Sequence, residues 1–372
     1  MDYRVSAQER ASFKRCRRQW DFGSIHRQRL QPLDPAPLDL NQAVRDALAV
    51  YYYPGMWDWP AAIVLPLVRK AFMRSIAAAP PSPERLAALD LGSELLEHYF
   101  EWAPSVDDFG PLKIETDVEV LIPDVREPGR ALLTADGERV LYSERVQMVA
   151  ADGSDEYWVV QHCVVPEWSD VESLLLDEAA IAACWAWEQT YLGMDVAGTI
   201  HNEILSAPSE LVRPPQESRT GRPGRGGYSQ NEPSGGGRLL PQGQRPDRVV
   251  EGRPTTIQRV EQEIVGPIRR TRIRRGRAEI DAAVQMIAAE VFDMLDPGLS
   301  RYPTPSPHWC PQCLFLAPCL AMSEGADPVV DLASRFREGP ASIAYEPHLG
   351  AGGGGGRNIS LPAPPPEKPP FG

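Results

Sequence analysis

Three cysteines near the end of the chain constrain its fold more than any other feature. Cys310, Cys313 and Cys319 form a C-x2-C-x5-C motif in a segment with many loop-forming residues, PTPSPHWCPQCLFLAPC. A C-x2-C pair in an intracellular chain is typical of metal or redox chemistry rather than of a structural disulfide. Three thiolates need a fourth ligand, which either His308 or the distant Cys16 could supply. Ligation by cysteine alone favours an iron–sulfur cluster, a histidine would suit zinc, and a set of buried thiols is the alternative.

The composition narrows the class of protein. The 372 residues are 42% apolar and carry a formal net charge of −13 at pH 7. Such a chain can bury a sizeable core in one large domain or two ordinary ones. The acidic balance argues against a protein wrapped in nucleic acid, because phosphate contacts need clustered Lys and Arg. No apolar run approaches the ~18 residues that span a membrane, and no signal peptide is evident. We therefore expect an intracellular, cytoplasmic protein without a membrane partner.

The hydrophobic pattern predicts an α/β fold that follows a helical region. Helical spacing of apolar residues predicts helices over residues 1–30, 41–53, 60–79 and 82–102. Alternating or continuous apolar runs then predict strands over 114–123, 140–149 and 157–165. A helix over 177–192, a strand over 197–205 and a helix from 256 to about 295 complete the order.

The sequence predicts one domain over residues 1–345 and a disordered tail over 346–372. Within the domain we expect a helical N-terminal part (1–110), an α/β core (111–205), a Pro/Gly/Arg-rich loop (206–256) and a helical, cysteine-rich C-terminal cap (257–345). The loop contains too little apolar surface to offset the entropy of ordering it.

Two distant motifs together carry a family resemblance. An N-terminal helix with Phe13, Cys16 and Trp20 is combined with the C-x2-C-x5-C motif, and the segments YYYPGMWDW and DEAAIAACWAWEQTYLG lie between them. From about Val5 to Gly339 the chain resembles the RecB-like PD-(D/E)XK nucleases that carry a four-cysteine iron–sulfur (4Fe–4S) cluster, a group that includes the AddB nuclease domain, CRISPR-adaptation nucleases and phage exonucleases. The resemblance implies a PD-(D/E)XK core with a cluster-bound C-terminal cap. It also implies the cluster ligands, which are Cys16, Cys310, Cys313 and Cys319.

The same resemblance implies a degenerate active site. In the family, carboxylates on two neighbouring strands hold Mg²⁺ or Mn²⁺, and a lysine orients the attacking water. Here Gln147 and Gln161 stand at the carboxylate positions, and Cys163 stands at the lysine position. The remaining family positions, a histidine and then a glutamine and a tyrosine, fall on Arg45, Ala179 and Ala183. A neutral amide is a poor ligand for a hard divalent cation, so metal-assisted hydrolysis should be lost.

The leading prediction is therefore a pseudo-nuclease that acts as a structural or interaction subunit of a DNA-processing or phage-like assembly. Its expected partners are proteins, such as active nuclease paralogues or phage-particle proteins. One alternative is a DNA exonuclease that uses Mg²⁺ or Mn²⁺ through relocated carboxylates, with Glu115 or Glu144 as candidates. Another is a DNA-end binder without cleavage. In this alternative a helix presents Arg270, Arg274 and Arg277 on one face to phosphates. A solvated helix face explains these arginines equally well.

Overall fold

A computed structural model describes residues 2–34, 38–206 and 259–340 of the chain. The predicted tail, and the predicted Pro/Gly/Arg-rich loop from residue 207 onward, lie outside these residues. Within them the protein is an α/β fold with a mixed β-sheet at its centre and helices on both faces. The α/β fold class is thus confirmed. No helix in the described ranges is both long and apolar enough to cross a membrane.

One side of the main sheet is an antiparallel meander of three long strands. These are β3 (Phe109–Leu121), β4 (Val140–Asp152) and β5 (Tyr157–Val165), after β1 (Tyr3–Val5) and β2 (Leu30–Pro32). β6 (Val196–Leu205) then pairs parallel to β5. A parallel partner requires a crossover connection, and a helix provides it here. Each of these long strands overlaps a strand that the sequence predicts.

Helices cover both faces of the sheet and enclose one hydrophobic core on each. The N-terminal helices are α1 (Ala7–Arg15), α2 (Arg17–Gly23), α3 (Leu40–Tyr51), α4 (Ala61–Ala77) and α5 (Pro83–Val106). The crossover between β5 and β6 contains α6 (Val171–Leu175) and α7 (Glu178–Thr190). Side chains of α3, α4 and α5 build the core on one face, and α7 contributes to the core on the other. α7 is buried along nearly its whole length, as expected for a helix that is apolar on all sides.

The predicted helix over residues 256–295 is wrong in its first half. The structure instead has a hairpin of β7 (Val260–Val265) and β8 (Ile268–Arg274), which extends the sheet beyond β6. Gly266 (φ 59°) adopts the left-handed conformation at the first position of the two-residue turn, where such turns favour glycine. Helix resumes at α8 (Arg277–Met294). The C-terminal cap therefore begins as sheet rather than helix.

The predicted N-terminal helix over residues 1–30 is also wrong as one continuous element. The helix ends at Arg15 and restarts at Arg17, because Cys16 adopts an extended backbone (φ −161°, ψ 113°). The Cys16 N–H still donates to the Ser12 carbonyl at 3.0 Å. The last backbone hydrogen bond of α1 is therefore formed before the chain changes direction. The break places Cys16 at the junction of two helices, on the wall of the cavity described next.

Candidate functional site

The four cysteines of the predicted metal site line one cavity, which is partly open to solvent. Cys16 comes from the break between α1 and α2. Cys310 and Cys313 lie on and directly after a 3₁₀ turn (Cys310–Gln312), and Cys319 lies on α9 (Leu316–Ser323). All four are half-buried free thiols. The structure thus brings together cysteines that are about 300 positions apart in the sequence.

Hydrogen-bond donors and cations surround the sulfurs. The backbone N–H of Thr304 donates to Cys16 Sγ at 3.4 Å, and that of Ser306 donates to Cys310 Sγ at 3.3 Å. The Arg18 guanidinium donates to Cys319 Sγ at 3.4 Å. Arg15 and Arg18 both line the cavity, so positive charge stands next to the thiols.

The cysteine positions do not converge on one point. No group of three or more His, Cys, Asp or Glu side chains in the described part of the chain could hold a metal ion. Four thiolates around one zinc would lie roughly 4 Å apart, because Zn–S bonds of about 2.3 Å are arranged tetrahedrally. His308, the alternative ligand, is not among the residues that line the cavity. Burial raises the pKa of the Cys313 thiol, and the charges of the other three cysteines raise it further. A hydrogen bond with the Phe315 backbone lowers this pKa.

Several contacts besides this cavity attach the cap to the N-terminal helices. Phe22, Phe315 and Phe336 form a small cluster of buried side chains separate from the two main cores. The chain continues through α10 (Val329–Arg335) to β9 (Phe336–Glu338), which pairs with β2 in a two-stranded sheet. Ion pairs join Arg301 to Asp21 at 3.2 Å and Arg10 to Glu290 of α8 at 2.7 Å. A group bound between the four cysteines would add to this attachment.

The second predicted site lies where β4 and β5 pair. Met148 is opposite Val160, so Gln147 and Gln161 occupy the next positions of the two antiparallel strands. Gln147 Oε1 accepts a hydrogen bond from the backbone N–H of His162 at 2.9 Å. The Gln147 side-chain amide thus takes the place of a backbone hydrogen bond between β4 and β5. Its oxygen is therefore not free to bind a metal ion. The two glutamines come from neighbouring strands, as the resemblance implies.

A small cavity lies beside Gln147. Its charged or titratable lining residues are Arg45 from α3, Tyr52 directly after α3, Glu115 from β3 and His162 from β5. Glu115 has a positive φ of 43°, which is strained for a residue other than glycine and interrupts the regular pairing of β3. The strain coincides with the position that lies nearest to Gln147 on the adjacent strand.

The other predicted positions contribute little to this cavity. Ala179 is exposed at the start of α7, and Ala183 is buried in the core. Cys163 is half-buried, and burial raises the pKa of its thiol to about 11. It therefore stays a neutral thiol near pH 7 and cannot replace a cationic lysine. Neither alanine can replace a hydrogen-bonding glutamine or tyrosine.

The two candidate relocated carboxylates are both half-buried. Burial raises the pKa of Glu144, whose carboxylate accepts a hydrogen bond from the Tyr142 hydroxyl at 2.8 Å. Burial also raises the pKa of Glu115, while Arg45 lowers it. The other two acids at alternate positions of β3 form ion pairs, Asp117 with Arg145 and Glu119 with Arg4, each at 2.7 Å.

The predicted arginine face does not exist as one helix face. Arg270 and Arg274 lie on β8, whereas Arg277 begins α8. Arg274 forms an ion pair with Glu156 at 2.6 Å, and Arg277 forms one with Glu188 at 2.8 Å. Arg270 is buried and is therefore unavailable to a phosphate in this structure.

Arg270 belongs to a buried polar network that the sequence does not predict. Its guanidinium donates to Asn202 Oδ1 at 2.8 Å and to Asp107 Oδ1 at 2.6 Å. Asp107 Oδ2 in turn accepts from the Tyr52 hydroxyl at 2.9 Å, and the network continues through the members Tyr99 and His162. Burial, with the charges of Arg270 and Arg45, lowers the pKa of His162 to about 3. His162 is thus neutral at physiological pH and has a structural role.

Comparison of the sequence with models of known protein families and with curated proteins finds no match. The functional assignment therefore depends on the residues and their geometry.

Proposed function

We propose that this chain is a catalytically inactive nuclease fold of the RecB-like PD-(D/E)XK type, and that it acts as a structural or interaction subunit of a DNA-processing or phage-like assembly. One observation carries the proposal. On the paired strands β4 and β5, the neutral amides Gln147 and Gln161 occupy neighbouring positions where the resemblance implies metal-binding carboxylates. The order of β3, β4, β5, α7 and β6 supports the fold assignment.

The surroundings of the two glutamines also disfavour a catalytic metal ion. Mg²⁺ and Mn²⁺ prefer carboxylate oxygens, and the carboxamide oxygen of Gln147 is already occupied by the His162 N–H. The lysine position holds Cys163, a neutral thiol. Arg45 lines the adjacent cavity and would repel a divalent cation. Without a bound metal ion, no water there has a lowered pKa for attack on a phosphodiester.

We further propose that Cys16, Cys310, Cys313 and Cys319 hold a 4Fe–4S cluster. The donor set fits, because such clusters are held by four cysteine thiolates and are tuned by hydrogen bonds to sulfur. The cavity is lined by four cysteines and not by His308, and ligation by cysteine alone favours a cluster over zinc. Arg15 and Arg18 would offset its negative charge. When bound, the cluster would cross-link the two ends of the folded chain.

The role as an interaction subunit is supported by the surface of the cap. Leu314 and Val330 are 64% and 78% exposed, and Trp309 and Leu320 are also exposed. These four residues fall within one stretch of 22 residues (309–330), and contiguous exposed apolar side chains are typical of protein-binding surfaces. We therefore expect a protein partner to bind on or near the cap.

The proposal predicts no DNA cleavage. Anaerobically purified protein that retains its cofactor should leave end-labelled single- and double-stranded DNA intact in the presence of Mn²⁺, with the same background as a reaction that contains chelator. An active nuclease of the same superfamily serves as the positive control. Chelator-sensitive cleavage that persists through purification and disappears in Glu115→Gln or Glu144→Gln would show relocated catalytic carboxylates, and the proposed function would then be wrong.

A further inference from the structure

Arg45 lies close to the three long strands of the meander. It belongs to α3, which is held against β5 by a hydrogen bond from the Val164 N–H to Asn41 Oδ1 at 3.2 Å. Arg45 lines the small cavity beside Gln147 together with Glu115 and His162. A permanent positive charge therefore lies at the place where β3, β4 and β5 present their polar side chains.

The guanidinium of Arg45 is not fully occupied by hydrogen bonds. Its Nε atom is buried and has no hydrogen-bond partner. The adjacent acid, Asp46, instead accepts hydrogen bonds from Gln42 at 2.7 Å and Ser75 at 2.8 Å. A buried cation without a close partner is costly unless nearby negative charge compensates it.

A carboxylate in the same cavity supplies that negative charge. Half-buried Glu115 on β3 lines the cavity together with Arg45. Burial raises the pKa of the Glu115 carboxyl, and the charge of Arg45 opposes the rise. Arg45 therefore favours the ionised carboxylate, which is also what a bound divalent cation would do.

We propose that Arg45 is a built-in counter-ion for Glu115, and that its charge excludes divalent cations from the cavity at this site. This inference rests on the proposed function, since it explains how an inactive site keeps its half-buried acid compensated. Removing the charge should leave oxygen ligands without a counter-ion. Hard divalent cations such as Mn²⁺ prefer such ligands, so the variant should gain an affinity for Mn²⁺.

The test compares Mn²⁺ binding by the full chain and by Arg45→Met, measured from the electron paramagnetic resonance signal of free Mn²⁺. Arg45→Met should bind Mn²⁺ about tenfold or more tightly than wild type, because a nearby like charge has been removed. Its thermal stability should be lower than that of wild type and should rise with added Mn²⁺, since a ligand stabilises the folded state that binds it. Arg45→Gln provides a second uncharged variant if Arg45→Met does not fold.

Two matched variants separate charge from packing. Arg45→Lys keeps the positive charge and should bind Mn²⁺ no better than wild type, whereas Arg45→Met combined with Glu115→Gln should lose the gained affinity. Folded uncharged variants that bind Mn²⁺ no better than wild type would overturn this inference but leave the proposed function intact. Cleavage of DNA by wild type would instead overturn the proposed function.

Discussion

Replacement of Cys313 by serine is expected to release the C-terminal cap from the N-terminal helices. The cap is attached through the cysteine cavity, a small phenylalanine cluster, the short β2–β9 pair and ion pairs such as Arg301–Asp21. Since metal-binding free energy at a structural site is folding free energy, loss of one ligand should cost several kcal/mol locally. Amide hydrogen exchange over residues 310–338 should accelerate by about 100-fold or more, because each 1.4 kcal/mol is a factor of ten.

Cys184→Ala is the matched control for Cys313→Ser. Cys184 is buried on α7 in the core and does not line the cysteine cavity. The control should keep its cofactor and leave exchange in the cap unchanged, with a moderate loss of global stability. If Cys313→Ser retained wild-type protection of the cap, the four-cysteine attachment would be contradicted.

The second large effect is expected for Arg270→Met. Arg270 and Asp107 form an ion pair at 2.6 Å in which both side chains are 4% exposed. The variant keeps an apolar stem next to Trp102 and Phe109 but leaves the Asp107 carboxylate buried without its cation. Breaking a buried pair in this way typically costs about 3–5 kcal/mol. Urea unfolding followed by tryptophan fluorescence should show this loss in the free energy of unfolding.

Arg274→Met is the control for Arg270→Met on the same strand. Arg274 is 54% exposed in its ion pair with Glu156, and exposed pairs contribute at most about 1 kcal/mol. Both variants remove a guanidinium group from β8, at positions four residues apart. Equal losses of stability would contradict the assignment of Arg270 to a buried network.

The order of helices and strands was predictable because the spacing of apolar residues changes clearly between helical and strand-like periods along the chain. The strand over 157–165 and the helix that contains Cys184 have continuous apolar patterns, and the structure places both elements as predicted. The β7–β8 hairpin was missed because its arginines suggested a charged helix. Arg270, Arg272 and Arg274 alternate with other residues at the period of a strand, which was a usable signal.

The sites were predictable to different degrees. Cysteines are few in this chain and their spacing is distinctive, so the sequence alone pointed to the residues that share the cavity. The buried network was not predictable, since Tyr52, Asp107 and Arg270 lie far apart in the sequence and each is unremarkable alone. The strained backbone at Glu115 likewise depends on tertiary packing, which no local pattern reveals.

The most direct test of the account is the metal content of the protein purified without oxygen. We predict about four iron and about four sulfide per chain, together with the visible absorption of a 4Fe–4S cluster. Both should disappear in Cys16→Ser, although Cys16 is almost 300 positions from the C-x2-C-x5-C motif. One equivalent of zinc without sulfide, or cluster content that Cys16→Ser leaves unchanged, would contradict a cluster that joins the two ends of the chain.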